Sequence, residues 1–265
     1  MIIIGPPSSA KTEIMRAFEG HKSSKFISNL TPSTMASGII HKNGRPDPFL
    51  LPQLNGKLVV LKDFTTVLSM RSEQQAEILA QLRETYDGQY SKIFGNGKEV
   101  NWRGRFGLLA ACTPVYDKHY SVIGSMGERF LIYRTDPVNG GMTGGHAQKL
   151  VGQEEKMRRE ISQALHKFID QFEHLDGVRM DKDEAVNLKI INLACFVAIG
   201  RCAVDRDRYS QALQYTPMPE GTPRLIKQFM QIGAGIALAN GRNVIDDEIY
   251  SVLKKSAATC YPPNG

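Results

Sequence analysis

Lys11 and Thr12 close the run GPPSSAKT, Gly5 to Thr12, and this pair is the strongest chemical signal in the chain. A run of the form GxxxxGK[ST] between a strand and a helix cradles phosphates on main-chain N–H groups. Its lysine adds a point charge and its hydroxyl a ligand for Mg²⁺. Ile2–Ile4 reads as the strand and Thr12–Glu19 as the helix. Ala10 stands where the pattern has its second glycine, and a side chain that small still lets the main chain approach a phosphate. The expected phosphate-binding residues are Gly5, Pro6, Pro7, Ser8, Ser9, Ala10, Lys11 and Thr12, with Lys11 also catalytic and Thr12 on the metal. ATP and Mg²⁺ are the expected ligands. A coincidental glycine-proline turn before a helix is the bland alternative.

A phosphate site of this kind needs a carboxylate at the end of a neighbouring strand. KLVVLKDFT supplies Asp63 after the apolar run Leu58–Leu61, expected to serve the metal, the attacking water, or both. Lys62 occupies the place where a second acid would make the usual pair. A helix cap after a buried strand is the alternative role for Asp63.

Such residues need a layered scaffold to hold them. Residues 1–136 alternate short β-branched runs with helical stretches, which points to an α/β domain with a five-stranded, mainly parallel sheet flanked by helices. The expected strands are Ile2–Ile4, Lys25–Asn29, Leu58–Leu61, Phe106–Ala111 and Phe130–Tyr133, with a helix at Ser72–Thr85. PVNGGMTGGH within residues 137–147 is glycine-rich and reads as a flexible linker. Residues 148–265 read as an all-helical domain: Gln148–Phe172, Asp181–Ala203, a helix from Pro223, and one capped by Asp246 that ends near Ala258, before Pro262–Pro263.

Three later segments resemble AAA+ ATPases. LLAACTPVYD, Leu108 to Asp117, resembles the sensor 1 strand, with Thr113 in the polar position where asparagine is more usual. GSMGERFLIYR resembles the segment that carries the arginine finger, matched best by Arg129, and leaves Arg134 as an ordinary surface or pairing arginine. EGTPRLIKQFMQIGAGIALANGRNVIDDEIYSVLKKSA resembles the lid helices, especially those of minichromosome maintenance-type helicases, with Arg224 at the sensor 2 position. The resemblance implies that Thr113 orients the attacking water and that Arg224 contacts phosphates from the lid. It also implies that Arg129 acts on a neighbouring subunit's γ-phosphate, an effect of about 10³–10⁵ in rate. A finger acting in trans implies a homo-oligomeric ring, with a hexamer expected. In the family, Asp63 falls at the catalytic glutamate and Lys62 at the metal-binding aspartate, a departure that bears on hydrolysis rate. The segment that grips adenine lies upstream of the first strand in that family, so a fragment or an unusual minimal form is expected. Arg224 read without the resemblance is an exposed first-turn arginine; Leu225, Phe229, Ile232 and Ile236 read as core at helical spacing.

Between the Ser72–Thr85 helix and the sensor 1 strand, YDGQYSKIFGNGKEVNWRGRF alternates around Asn96–Gly97, the signature of a β-hairpin at about 89–105. Its position resembles the presensor 1 hairpin of the helicase branch, which projects into the ring channel. Lys92, Lys98, Arg103 and Arg105 face the single Glu99 between Gln89 and Arg105, a net of +3. These four are the expected contacts to DNA, single- or double-stranded, with Lys98 at the tip. Tyr90, Phe94 and Trp102 could stack on bases, with at least one packing under the hairpin. A solvated basic face is the alternative. DNA translocation or unwinding in replication is the expected activity. A helicase loader or slow nucleotide switch, and a remodeller that grips polypeptide, are the alternatives.

Composition bounds these readings. The chain has 265 residues, 42% hydrophobic and 23% charged, ordinary globular usage. Its formal charge of +6 is mild and suggests an acidic partner only where it is localised. The longest apolar runs are too short for a membrane span of about 20 residues, and MIII lacks the basic flank of a signal peptide, so a cytoplasmic location is expected. Cys112, Cys195, Cys202 and Cys260 form no CxxC pair and read as reduced core residues.

Overall fold

A computed structural model describes residues 1–39, 49–120, 123, 129–136, 140–172, 183–202, 204, 206–207 and 209–261. The described strands are β1 (Ile2–Ile4), β2 (Ser24–Ile27), β3 (Leu58–Leu61), β4 (Gln89–Ile93), β5 (Glu99–Arg103), β6 (Gly107–Cys112) and β7 (Ile132–Arg134). The described α-helices are α1 (Lys11–Arg16), α2 (Pro32–Met35), α3 (Thr65–Leu68), α4 (Ser72–Tyr86), α5 (Gly140–Leu150), α6 (Glu154–Asp170), α7 (Glu184–Gly200), α8 (Pro223–Ala239) and α9 (Asp247–Ala257).

Five strands form one sheet in the order β2-β3-β6-β1-β7, and β4 with β5 makes a separate antiparallel hairpin. The β2/β3, β3/β6 and β1/β6 pairs are parallel. Neighbours in a parallel sheet need crossovers, and helices in those crossovers cover the faces. That covering is why the strands are continuously apolar: Ile2, Ile4, Val60, Leu61 and Ala110 are each at most 2% exposed. Met15 of α1 packs against Ile3, Val60, Leu109 and Ala111 on one face.

The chain divides into two compact units: Met1–Tyr116 with Thr135–Phe172, and Asp117–Arg134 with Glu173–Gly265. In the second unit α7, α8 and α9 share one core, with Leu225 and Phe229 buried and Ile232 and Ile236 packed on its margin. Asp246 caps α9, its carboxylate accepting from the Ile249 N–H at 3.0 Å. Arg134 pairs with both carboxylate oxygens of Asp117 at 2.6 and 3.1 Å.

Several boundaries differ from expectation. Residues 140–150, within and just beyond the glycine-rich stretch, are helical, and residues 137–139 lie outside the described residues. So do Asp181, Ala203, Pro262, Pro263 and the GSMGE residues 124–128. Of the four cysteines, Cys112 and Cys260 are buried, but Cys195 is exposed and Cys202 half-buried. Cys195 lies in a helix that is apolar all round, so periodicity gave no sign of which side faces water. No described helix is long and apolar enough to cross a membrane.

Candidate functional site

The site forms where strands end. Ile4 pairs with Cys112 and Leu61 with Ala110, so Gly5 and Thr113 follow their strands at one level, while Lys62 comes directly after β3 and Asp63 one residue later. Gly5, Asp63 and Thr113 thus all lie at the C-terminal edge of the sheet, which is where α/β folds place ligands. Lys11 and Thr12 open α1, the helix that follows β1.

The Gly5–Thr12 loop holds its own lysine. The Lys11 ammonium donates to the Gly5 carbonyl at 2.7 Å, the Pro6 carbonyl at 2.6 Å and the Ser9 hydroxyl at 3.0 Å. These three bonds use all three N–H donors of an ammonium group, which explains how Lys11 remains only 8% exposed. Burial holds its pKa below the ordinary lysine value, opposed by Cys112 and Asp63 in its electrostatic neighbourhood.

Backbone geometry in the loop matches an anion cradle. Ser8 and Ala10 have φ of 63° and 58°, in the left-handed region. Alternating hands turn successive N–H groups toward one concavity, which suits an oxyanion. Glycine adopts this conformation without strain, so the structure explains why the pattern has glycine where Ala10 stands. At Gly5 the need is space: a Cβ there would lie 2.2 Å from the Thr135 hydroxyl and 2.9 Å from that of Ser9.

Asp63 accepts from the Thr65 N–H at 2.8 Å, a turn leading into α3, whose N-cap residue is Phe64. Thr65 was not expected from the sequence, yet its hydroxyl lies 3.4 Å from the Thr113 N–H and 3.6 Å from the Cys112 thiol, joining the ends of β3 and β6. Its position two residues after an aspartate is the signal that could have found it. Burial raises the Cys112 thiol pKa, with the Thr65 hydrogen bond opposing. Thr135 was also missed: its N–H donates to the Ile4 carbonyl at 2.9 Å, and its buried hydroxyl faces Gly5.

α1 is tied to α6 at both ends. Glu13 receives two hydrogen bonds from Arg158, at 2.7 and 2.9 Å. Beyond the other end, His21 lies 3.3 Å from Asp170, its second ring nitrogen engaged by the Ser23 hydroxyl at 2.6 Å.

Arg129 and Arg224 belong to the second unit. The Arg129 carbonyl accepts from Gln228 at 2.7 Å, and Arg224 donates to Glu220 at 3.3 Å, a carboxylate that also pairs with the buried Arg201. The hairpin forms with Tyr90 opposite Trp102 and Gly97 at φ 80° in its turn. Tyr90 and Trp102 are buried, and Phe94 packs so closely on Gly38 that a Cβ there would sit 2.3 Å from its ring. Lys92 pairs with Glu77, and Lys98 donates to the Ser37 carbonyl at 3.0 Å. Asn96 donates to the Gly38 carbonyl at 2.5 Å. Arg103 and Arg105 are exposed.

The chain as a whole matches no protein-family model, and no curated protein is significantly similar to it.

Proposed function

We propose that this chain is a P-loop ATPase of the AAA+ type that binds and hydrolyses Mg-ATP and couples turnover to DNA in a cytoplasmic, ring-shaped homo-oligomer, expected to be a hexamer. The observation that carries the reading is the Gly5–Thr12 loop, with its buried lysine, left-handed Ser8 and Ala10, and Asp63 and Thr113 at the same edge of the sheet.

In this reading the three N–H donors of Lys11 exchange loop oxygens for phosphate oxygens, a gain because hydrogen bonds between charged partners are stronger. The Thr12 hydroxyl and the Asp63 carboxylate are hard oxygen groups suited to Mg²⁺, which usually keeps several waters and uses one or two protein oxygens beside the phosphates. A dedicated cage is not required, and the described residues contain no group of three or more His, Cys, Asp and Glu arranged to hold a metal. Mg²⁺ would offset charge on the phosphates. Asp63 or Thr113 would position the attacking water, and Arg129 would complete a neighbour's site. Arg224 would have to leave Glu220 to reach a phosphate from the lid.

DNA as the coupled substrate rests on Arg103 and Arg105, exposed cations beside a hairpin whose large rings face inward. A polypeptide substrate is the second reading, favoured by Ile93, which is 72% exposed near the hairpin turn. A slow nucleotide switch or helicase loader is the third, favoured by Lys62 and by the strained Ala10. ATP turnover measured with single-stranded DNA, duplex DNA and no DNA, beside Lys11→Ala and Arg129→Ala, separates them. Stimulation by DNA and partial recovery on mixing the two variants are expected. Absence of Mg-ATP binding by the unmodified protein would sink the reading altogether.

A further inference from the structure

α7 is apolar on two sides. One side gives Val186, Ile190, Leu193, Ala194 and Val197 to the core of the second unit. The other leaves Leu188 59%, Ile191 41%, Phe196 66% and Ile199 65% exposed. A helix that is apolar all round is normally covered all round. Between Ala185 and Gly200 the only charged residue of α7 is Lys189, whose side chain is 44% exposed and pairs with Asp247.

The spacing along one row of this face is its own mirror. Ala185, Leu188, Asn192, Phe196 and Ile199 follow one another at steps of 3, 4, 4 and 3, so the spacing of this row reads the same from either end about Asn192, with Ile191 and Cys195 exposed beside it. We propose that this face pairs with the same face of a second copy of the chain, the two helices running antiparallel about a twofold axis at Asn192. Each Leu188 then meets the partner's Phe196, and each small Ala185 meets the partner's Ile199. Asn192 meets the partner's Asn192. An amide carries both donors and an acceptor, so it satisfies a copy of itself.

Area sets the strength. The four large side chains leave on the order of 500 Å² in water per copy, near the top of what a monomer exposes in one patch. Two such faces bury about 1,000 Å², the lower edge of specific interfaces, so micromolar association is expected. A twofold pairing closes on itself and cannot by itself generate a ring. The inference therefore stands apart from the nucleotide reading.

Sedimentation equilibrium of the full, nucleotide-free chain from about 1 to 100 µM tests it across that affinity class. A monomer–dimer equilibrium is expected. Phe196→Glu or Leu188→Lys alone should weaken it at least about thirtyfold, as loss of a central anchor does. The double variant Leu188→Lys/Phe196→Glu should restore pairing, because the two positions meet across the axis. Both positions are already exposed, and a thermal melt checks that each variant folds. Nucleotide affinity of Phe196→Glu, measured by calorimetry, should match that of the unmodified chain, so a failure of pairing is distinguishable from a failure of the nucleotide reading. A wild-type monomer at every concentration, single variants that still dimerise, or a double variant that stays monomeric would each overturn the proposal.

Discussion

The Gly5–Thr12 loop and the β4–β5 hairpin both announce themselves in the sequence by basic residues near glycines, and the fold treats them in opposite ways. In the loop, charge is drawn inward: Lys11 is buried with its donors on the loop's own oxygens. At the hairpin, Lys92 and Lys98 are taken up by Glu77 and the Ser37 carbonyl, whereas Arg103 and Arg105 stay exposed. Residue type signals that charge is present; the packing of neighbouring elements decides which charges a ligand can reach.

Six substitutions sharpen or break this contrast, in descending order of expected effect. Lys11→Ala should reduce Mg-ATP affinity at least about a hundredfold, since it removes the one buried cation of the cradle; calorimetry measures it. An unchanged affinity would leave the two regions equivalent. Gly5→Ala should cost about 1–3 kcal/mol in denaturant unfolding, because its Cβ would press on the buried Thr135 hydroxyl. Arg103→Ala and Arg105→Ala should each weaken DNA binding several-fold and lower the salt slope by about 1, with Lys98→Ala doing less. A larger loss at Lys98 would show that its contact with Ser37 opens. Ala10→Gly should raise stability by about 0.5–1 kcal/mol by removing a left-handed alanine.

A smaller effect concerns pH. The Arg158 hydrogen bonds hold Glu13 below its ordinary 4.5. A depressed carboxylate stabilises the fold above its unfolded pKa and loses that contribution as pH falls through the folded value. Melting followed downward from pH 5 should show this loss, and Arg158→Ala should abolish it. Both side chains are more than a third exposed, so the change will be slight.

How far the sequence reached depended on whether a feature was local. Ile2–Ile4 and Leu58–Leu61 were legible residue for residue because both faces of those strands are buried. Gly97 marked the hairpin, since its turn needs a positive φ. α5 was not legible, because glycine disfavours helix and four of its eleven residues are glycine. The site divided in the same way. Lys11, Asp63 and Thr113 each follow a strand that could be read alone, whereas Thr65 and Thr135 matter through contacts with distant parts of the chain. The tie between His21 and Asp170 spans 149 positions, beyond the reach of any motif.

The self-satisfied lysine also sets a threshold for entry. A guest must outcompete two carbonyls and a hydroxyl that are already in place and already well aligned, so a sugar or an amide would merely exchange like for like. Only a group with full negative charge offers the ammonium more than it has. Discrimination by charge would thus be completed at the loop, ahead of any contact that could tell one base from another.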